Sequence, residues 1–187
     1  KEVMVSANEI ITKLKQEIGD DLRIGVGSFV EKPAAPFTSL GGQHVFKNWL
    51  KLTDATDENT EIIRRQIDTL VGLSKTMKNN DAEEAGLEAM VQVAACKNEI
   101  GWKDIAKHLV VYSTDATMHL AGDGRLAGIN RPNDMECYLE AGGKVSNDDL
   151  TNTHHEYYNG LNQDYPSVYE VKDLVNKHNI QTIFALT

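Results

Sequence analysis

The chain has 187 residues and a mass of 20.7 kDa, the size of one ordinary domain, and 41% of its residues are hydrophobic. Its formal net charge of −9, from 19 basic and 28 acidic residues, argues against nucleic acid or an anionic membrane surface as the main partner. Residues 1–19 lack the pattern of a signal peptide, and no apolar run approaches the roughly 18 residues of a membrane span. We therefore expect a single globular domain over residues 1–187.

Segments with helical periodicity alternate with short apolar runs along the chain. In chain order, the patterns predict a helix at 3–18, a strand at 22–30, a short strand at a sheet edge at 44–52, helices at 57–72 and 83–97, a strand at 108–113, a helix at 167–178 and a final strand at 180–186. The Gly-rich segment 114–150 is predicted to be long and irregular. Residues 22–30 form a nearly continuous apolar run, which is typical of a strand buried on both faces.

This alternation predicts an α/β fold of the doubly wound type, with a mainly parallel sheet and helices on both faces. In such folds, binding sites form beyond the carboxyl ends of the strands. Acidic side chains gather there: Glu31 follows the first strand, Asp115 follows another, and the loop from Asn79 to Glu84 precedes a helix. Hard divalent cations bind oxygen ligands of this kind. No histidine or cysteine accompanies these residues in the sequence, which argues against zinc or copper.

Simpler interpretations compete with a cation site. Acidic residues are common at helix starts, so the acidic loop before the helix at 83–97 can equally be a solvated cap. An enzyme would need Asp115 and Glu84 to activate water through Mg²⁺, and no G-x-S-x-G, HExxH or P-loop motif supports a specific chemistry. Cys96 and Cys137 lie 41 positions apart outside any C-x-x-C motif, so composition leaves free thiols and a disulfide both open.

Longer stretches, in order along the chain, resemble the I-like domain of an integrin β subunit, which has a von Willebrand factor A-type fold. They are RIGVGSFVEKP at 23–33, AGLEAMVQVAAC at 85–96, LVVYSTD at 109–115, AGDGRLAGI at 121–129 and NIQTIFALT at 179–187. The resemblance implies one partial I-like domain over residues 1–187, with a Rossmann-like sheet. The family's D-x-S-x-S motif and the first central strand that carries it are not found here, so we expect a domain that is incomplete at both ends and lacks that strand.

The resemblance also implies two cation sites. The adhesion site takes Mg²⁺ or Mn²⁺, accepts a carboxylate from the protein ligand, and would use Glu84 and Asp115. A flanking Ca²⁺ site would use Glu31, Asn79, Asp81 and the backbone carbonyl of Glu83. Glu83 stands where the family's loop has proline, so the carbonyl is kept but the rigidity that proline gives to the loop is lost.

Two further contact regions follow from the same resemblance. Lys78, Asn80 and Ala82, which lie between the cation ligands in the sequence, would contact the bound protein ligand. Arg125, within the stretch Asp-Gly-Arg-Leu, would insert into the integrin α subunit. An arginine suits this task because its planar charged group can stack on aromatic rings and donate to carbonyls at once.

The function implied by the resemblance is that of a non-enzymatic cell-adhesion receptor. The domain would pair with an integrin α subunit and bind an acidic residue of an extracellular-matrix or cell-surface protein, as the extracellular part of a single-pass membrane protein. Cys96 and Cys137 match a family disulfide, which agrees with an oxidising setting. The alternatives left open are a metal-dependent hydrolase on a Rossmann-like sheet and a degenerate von Willebrand A-type module without metal. A closed apolar pocket beside the acids would favour the hydrolase.

Overall fold

The computed structural model describes residues 2–38, 44–74, 79–144 and 153–186 of the chain. Within these residues, the α-helices are α1 Glu2–Ile18, α2 Asp57–Ser74, α3 Gly86–Ala95, α4 Lys97–Ile100 and α5 Val168–Lys177. The strands are β1 Arg23–Phe29, β2 Phe46–Asp54, β3 Glu83–Glu84, β4 His108–Thr114, β5 Thr117–Met118, β6 Leu139–Lys144, β7 Thr153–Tyr157 and β8 Ile180–Leu186. Short 3₁₀ turns lie at Gly19–Asp21 and Asp123–Ala127.

The four predicted helices are present, and two of them have well-defined starts. α3 begins at Gly86 rather than at residue 83, because residues 83–84 form β3 and pair in parallel with β5. A β-carbon at Gly86 would lie 1.6 Å from the hydroxyl oxygen of Tyr112, so only glycine fits at this helix start. α5 follows Ser167, whose side chain accepts a hydrogen bond from the amide of Glu170 in a capping box.

Four strands form an antiparallel sheet in the order β1-β2-β7-β6. β1 and β2 pair from Arg23 opposite Asp54 to Phe29 opposite Phe46. The prediction of a mainly parallel sheet is wrong for these strands, because β1 and β2 pair as a hairpin, and their pairing continues beyond the strands from Val30 to Val45 and from Glu31 to His44. β2 lies between β1 and β7, not at a sheet edge as predicted.

Two expectations from local sequence pattern are also wrong. β6 lies in a segment predicted to be irregular, because its sequence LEAGGK contains two glycines and has little strand propensity. β1 is not buried on both faces, since Gly25 and Gly27 are exposed. A β-carbon at Gly27 would lie 2.8 Å from the ring of Phe46, so the close approach of β2 explains this glycine.

β4 and β8 pair in parallel over their whole lengths, beginning at His108 opposite Ile180, as predicted. The expectation that β1 shares their sheet is wrong, because no strand in the described part of the chain hydrogen-bonds to both β1 and β4. The two strands meet through side chains instead, with the rings of Phe29 and Tyr112 stacked 5.0 Å apart. A mixed α/β fold is thus confirmed, with its described strands divided among three sheets.

The largest core cluster joins the loop after β1 to α3 and to the loop before α5. Phe37, Ala89 and Tyr165 represent these three elements in the cluster, and each is buried. Cys96, at the end of α3, is also buried there and is bonded to Cys137, which confirms the predicted disulfide. The bond links positions 41 residues apart and so ties α3 to the segment that leads into β6.

A cavity of about 450 Å³ opens between α1 and α2. It is lined by Ile11, Thr12, Lys15, Gln16, Asp57, Thr60 and Arg64, and none of the predicted cation ligands is among these residues. In the part of the chain that the structure describes, no helix combines the length and the apolar character needed to cross a membrane.

Candidate functional site

Three loops meet near the ends of β1 and β4. The amide of Ala85 donates to the carbonyl of Val30 at 2.9 Å and so joins the loop before α3 to the end of β1. The amide of His119 donates to the carbonyl of Glu84 at 3.0 Å, which continues the short parallel pairing of β3 with β5. These backbone hydrogen bonds fix the positions of the loops after β1, before α3 and after β5 relative to one another.

Glu31 lies in the first of these loops with its side chain fully buried. Its Oε1 accepts hydrogen bonds from the amide of Lys32 at 2.5 Å and from the hydroxyl of Tyr165. Its Oε2 lies 3.2 Å from Nε2 of His119, but no hydrogen bond from the described residues reaches this oxygen. Apart from the imidazole of His119, this buried oxygen has no partner among the described residues, so a cation at this position would stabilise it.

His119 stands at the centre of three carboxylates although it is only 4% exposed. Its Nε2 is 3.2 Å from Oε2 of Glu31 and 3.2 Å from Oδ2 of Asp81, and its Nδ1 is 3.2 Å from Oδ2 of Asp123. The imidazole stacks on the ring of Tyr165 with 4.6 Å between centroids. Burial lowers the pKa of His119, but the carboxylates of Glu31, Asp123 and Asp81 outweigh that effect and raise the pKa to about 9.

Sequence reasoning missed His119, and the expectation that no histidine accompanies the acids is wrong for the folded chain. His119 lies 38 positions from Asp81 and falls in a segment predicted to be irregular. The pairing of β3 with β5 brings His119 next to Glu31 and Asp81. The sequence signal that could have indicated this role is the position of His119 four residues before Asp123, shortly after a predicted strand.

The four residues predicted to bind Ca²⁺ fall into two pairs. Glu31 and Asp81 both face Nε2 of His119. The side-chain amide of Asn79 donates to the backbone carbonyl of Glu83 at 3.0 Å, so these two predicted ligands are bonded to each other. Oδ1 of Asp81 is buried and, like Oε2 of Glu31, receives no hydrogen bond from the described residues, and burial raises the pKa of Asp81. Two buried carboxylate oxygens without donors fit a divalent cation.

Glu84 and Asp115, the predicted ligands of the adhesion cation, are close enough to repel each other. Burial and the charge of Asp115 raise the pKa of Glu84. Oε2 of Glu84 accepts a long hydrogen bond of 3.4 Å from the hydroxyl of Thr114. Asp115 is exposed and Glu84 is partly buried, so this pair of carboxylates lies at the boundary with solvent. Two neighbouring carboxylates in this setting fit a hard cation.

Two of the three residues predicted to contact the protein ligand are exposed on the loop before α3. These residues are Asn80 and Ala82. The side-chain amide of Asn80 donates to the carbonyl of Pro36 at 3.2 Å, which fixes the loop against the one that follows β1. The third, Lys78, lies outside the described residues.

Arg125 is exposed on the 3₁₀ turn Asp123–Ala127. The carboxylate of Asp164 organises this turn, since its Oδ2 accepts from the amide of Gly122 at 2.7 Å and its Oδ1 accepts from the amide of Gly124 at 2.8 Å. A β-carbon at Gly124 would lie 2.4 Å from Oδ1, so this contact requires glycine. Asp164 therefore fixes the turn that presents Arg125 to solvent.

The sequence matches the family model described as "Integrin beta chain VWA domain" over residues 1–187. The chain belongs to this family. It is 39% identical to integrin beta-1 of Gallus gallus over an alignment that covers 92% of the chain and 20% of that protein. It is 32% identical to integrin beta pat-3 of Caenorhabditis elegans, covering 100% of the chain and 22% of that protein. It is 31% identical to integrin beta-5 of Mus musculus, covering 100% of the chain and 24% of that protein.

This integrin β domain thus spans 20–24% of the length of these relatives. Membership of the family confirms the resemblance read from the sequence. Because the family consists of non-enzymatic receptors, membership also confirms the prediction that the chain is not an enzyme. The von Willebrand factor A-type fold follows from the same match, although the described strands are partly antiparallel.

Proposed function

We propose that this integrin β domain belongs to a cell-adhesion receptor that binds acidic extracellular ligands through divalent cations and pairs with an integrin α subunit. The observation that carries the proposal is the convergence of Glu31, Asp81, Glu84 and Asp115 on neighbouring loops, where buried and crowded carboxylates need positive charge. Family membership supports it, since integrin β domains of this type bind divalent cations. We place residues 1–187 in one partial I-like domain on the outer side of a membrane-anchored receptor.

Glu84 and Asp115 would hold Mg²⁺ or Mn²⁺ at the adhesion site. The cation supplies a positive charge that binds the carboxylate of the protein ligand. Glu84 is oriented by the hydroxyl of Thr114 and by the backbone bond between its carbonyl and His119. Asp115 is exposed, which leaves room for an incoming acidic side chain. This open arrangement favours a receptor over a hydrolase, because hydrolases enclose their substrates in a pocket.

A flanking Ca²⁺ would assist the adhesion cation electrostatically. The charge of Glu31 contributes to the raised pKa of Glu84. A cation that neutralises Glu31 would therefore favour the ionised form of Glu84, which is the form that binds metal. The residues proposed for the flanking site are Glu31, Asn79, Asp81 and the carbonyl of Glu83, and those proposed to contact the ligand are Lys78, Asn80 and Ala82.

Ligand binding should depend on the cation and on Asp115. In the full-length natural protein paired with an α subunit, binding to an immobilised Asp-containing peptide should require Mg²⁺ or Mn²⁺ and should be lost in EDTA. Asp115→Asn should abolish most of this binding. Asp104→Asn is the matched control, because Asp104 is an exposed carboxylate paired with Lys97 away from the site. Binding that persists in EDTA, or an equal loss in both variants, would contradict the proposal.

Arg125 would contact the α subunit. It is exposed, and its guanidinium has no partner among the residues that the structure describes. Arg125→Ala should therefore lower the yield of the αβ heterodimer while the domain stays folded. Arg131→Ala, which removes an exposed arginine paired with Asp134, is the matched control. An unchanged heterodimer yield for Arg125→Ala would reject the assigned role.

A further inference from the structure

We propose that Asn159 is a site of spontaneous chemical modification, at which the side-chain amide is lost as ammonia and isoaspartate forms, and that Asn162 assists this reaction. Asn159 and Gly160 are the only Asn-Gly pair in the sequence. The reaction uses water and needs neither a cofactor nor an enzyme. The inference does not depend on the receptor function proposed above.

The reaction begins when the backbone nitrogen of Gly160 attacks Cγ of Asn159 and closes a succinimide ring. A bond forms between this nitrogen and Cγ, its proton passes through water to Nδ2, and the bond from Cγ to Nδ2 breaks as ammonia leaves. Water then opens the ring. Attack of water at Cγ gives aspartate, whereas attack at the main-chain carbonyl carbon leaves the chain connected through Cγ and gives isoaspartate.

The backbone amide of Gly160 is the nucleophile, and it has no acceptor among the residues that the structure describes. An amide that already donates a hydrogen bond would have to give up that bond before it could attack. Gly124 provides the contrast, since it follows Asp123 in a similar pair but its amide donates to Oδ1 of Asp164 at 2.8 Å. The amide of Gly160 is therefore available for the reaction, and that of Gly124 is not.

The side chain of Asn162 contacts the oxygen on which charge develops. As the nitrogen attacks, negative charge builds on Oδ1 of Asn159, and Nδ2 of Asn162 donates to this oxygen at 2.5 Å. A donor directed at a developing oxyanion lowers the barrier. The backbone amide of Asn162 also donates to the carbonyl of Asn159 at 2.9 Å, which keeps the two residues together in one turn. Asn162 thus favours closure of the ring.

The packing of the core requires glycine at position 160. A β-carbon at Gly160 would lie 2.5 Å from Cγ2 of Val45, which is buried. Because glycine has no side chain, nothing at this position hinders the approach of its nitrogen to Cγ of Asn159. The contact with Val45 therefore excludes the bulkier residues that would slow the attack.

Isoaspartate at position 159 would disturb the contact between Gly160 and Lys32. The carbonyl of Gly160 accepts a hydrogen bond from Nζ of Lys32 at 2.6 Å, and the side chain of Lys32 is fully buried. Isoaspartate adds one atom to the main chain directly before Gly160, which displaces this carbonyl. A buried ammonium group that loses an acceptor is unfavourable, so the modification should destabilise the domain.

The test is peptide mapping by mass spectrometry of the full-length natural protein, incubated in its folded state at mildly alkaline pH. We expect aspartate and isoaspartate to accumulate at position 159. Asn162→Ala, at an exposed residue, should slow their formation about 2- to 10-fold, which corresponds to one hydrogen bond. Asp123→Asn is the matched control, because it creates a second Asn-Gly pair whose glycine amide is bonded to Asp164. This second pair should react at least about 10-fold more slowly than Asn159.

The absence of both products at position 159, after a time in which a free peptide of residues 157–162 is converted, would overturn the proposal. An unchanged rate in Asn162→Ala would reject the role of Asn162, and equal rates at positions 123 and 159 of Asp123→Asn would reject that of the unbonded amide. The isoaspartate form, separated by chromatography, should have a lower Tm than Asn159→Asp, which adds the same charge without the extra main-chain atom. Equal Tm values would contradict the proposed effect on Lys32.

Discussion

Glu31 and Lys32 are consecutive and both are fully buried, yet the fold treats their charges differently. Nζ of Lys32 donates to Oε1 of Glu88 at 2.8 Å and to the carbonyls of Gly160 at 2.6 Å and Gln163 at 2.9 Å, so each of its three hydrogens has an acceptor. Glu31 keeps one oxygen without a donor from the described residues. The charge of Lys32 is fully satisfied by the fold, whereas Glu31 has one oxygen that faces only the shared imidazole of His119, which leaves it open to a bound cation.

The side chains of Glu31 and Lys32 both contact Tyr165. The ring of Tyr165 lies 4.5 Å from Nζ of Lys32, and its hydroxyl donates to Glu31. On the Lys32 side, the hydroxyl of Tyr157 also donates to Glu88, at 2.7 Å. Burial raises the pKa of Glu88 to about 7, although Lys32 opposes this effect. A buried charge therefore indicates a binding site only when one of its polar atoms lacks a hydrogen-bond partner.

The largest loss of stability is expected from Lys32→Met, which removes the buried ammonium group that pairs with Glu88. The change leaves Glu88 buried without its counter-charge, and breaking a buried pair in this way costs about 3–5 kcal/mol. We expect the free energy of unfolding of the 187-residue chain, measured with urea above the pKa of Glu88, to fall by this amount. The double variant Lys32→Met, Glu88→Leu should recover most of the loss. If the double variant is no more stable than Lys32→Met, the loss of stability does not come from the unpaired charge of Glu88.

A comparison of two buried histidines sharpens the same point. Whereas carboxylates surround His119, burial and the charges of Lys47 and His154 lower the pKa of His44 to about 4. The unfolded chain takes up this proton near pH 6.5 and the folded chain only near pH 4. The contribution of His44 to stability is therefore complete above pH 6.5 and is lost as the pH falls toward 4, by up to about 3 kcal/mol. His44→Gln should flatten this part of a stability–pH curve, and an unchanged slope would count against the assignment.

Asp164 provides a carboxylate that is satisfied by backbone amides and needs no cation. Asp164→Asn removes the charge from the hydrogen bonds to Gly122 and Gly124, and we expect a loss of about 1–2 kcal/mol. Hydrogen exchange at these two amides should become faster, which mass spectrometry can measure. Asp173→Asn, on the exposed side of α5, is the matched control. Equal exchange in both variants would show that Asp164 does not hold the turn.

The smallest effect on stability is expected from Glu31→Gln, although this residue is as buried as Lys32. The substitution keeps an acceptor for Lys32 and Tyr165, relieves repulsion from Asp81, and loses the attraction to His119. These effects oppose one another, so in EDTA the free energy of unfolding should change by less than about 1 kcal/mol. The same variant should lose the rise in Tm that divalent cations give to the parent chain. A cost as large as that of Lys32→Met would remove the distinction between the two charges.

The sequence predicted elements whose pattern is local. The helical spacing at 3–18 corresponds to α1 at Glu2–Ile18, and the apolar run at 180–186 is β8. It did not predict the antiparallel pairing of β1 with β2, because strand partners depend on the path of the connection and not on the pattern within a strand. It also missed β6, whose glycines give no strand signal.

The residues of the candidate site were likewise predicted only in part. The acids Glu31 and Asp115 were found because they follow predicted strands, and the rule for binding sites in α/β folds then places them at one edge. His119 was missed because it reaches Asp81 only through the pairing of two-residue strands β3 and β5, which no local pattern reveals. The disulfide came from the family resemblance alone, since composition left the state of the two cysteines open.

The most direct test of the account is anomalous X-ray diffraction from crystals of the protein grown with Ca²⁺, with data recorded at a long wavelength where calcium scatters anomalously. The account predicts a peak within about 2.6 Å of Oε2 of Glu31 and of an oxygen of Asp81. Ordered side chains of Glu31 and Asp81 with no anomalous peak beside them would contradict it.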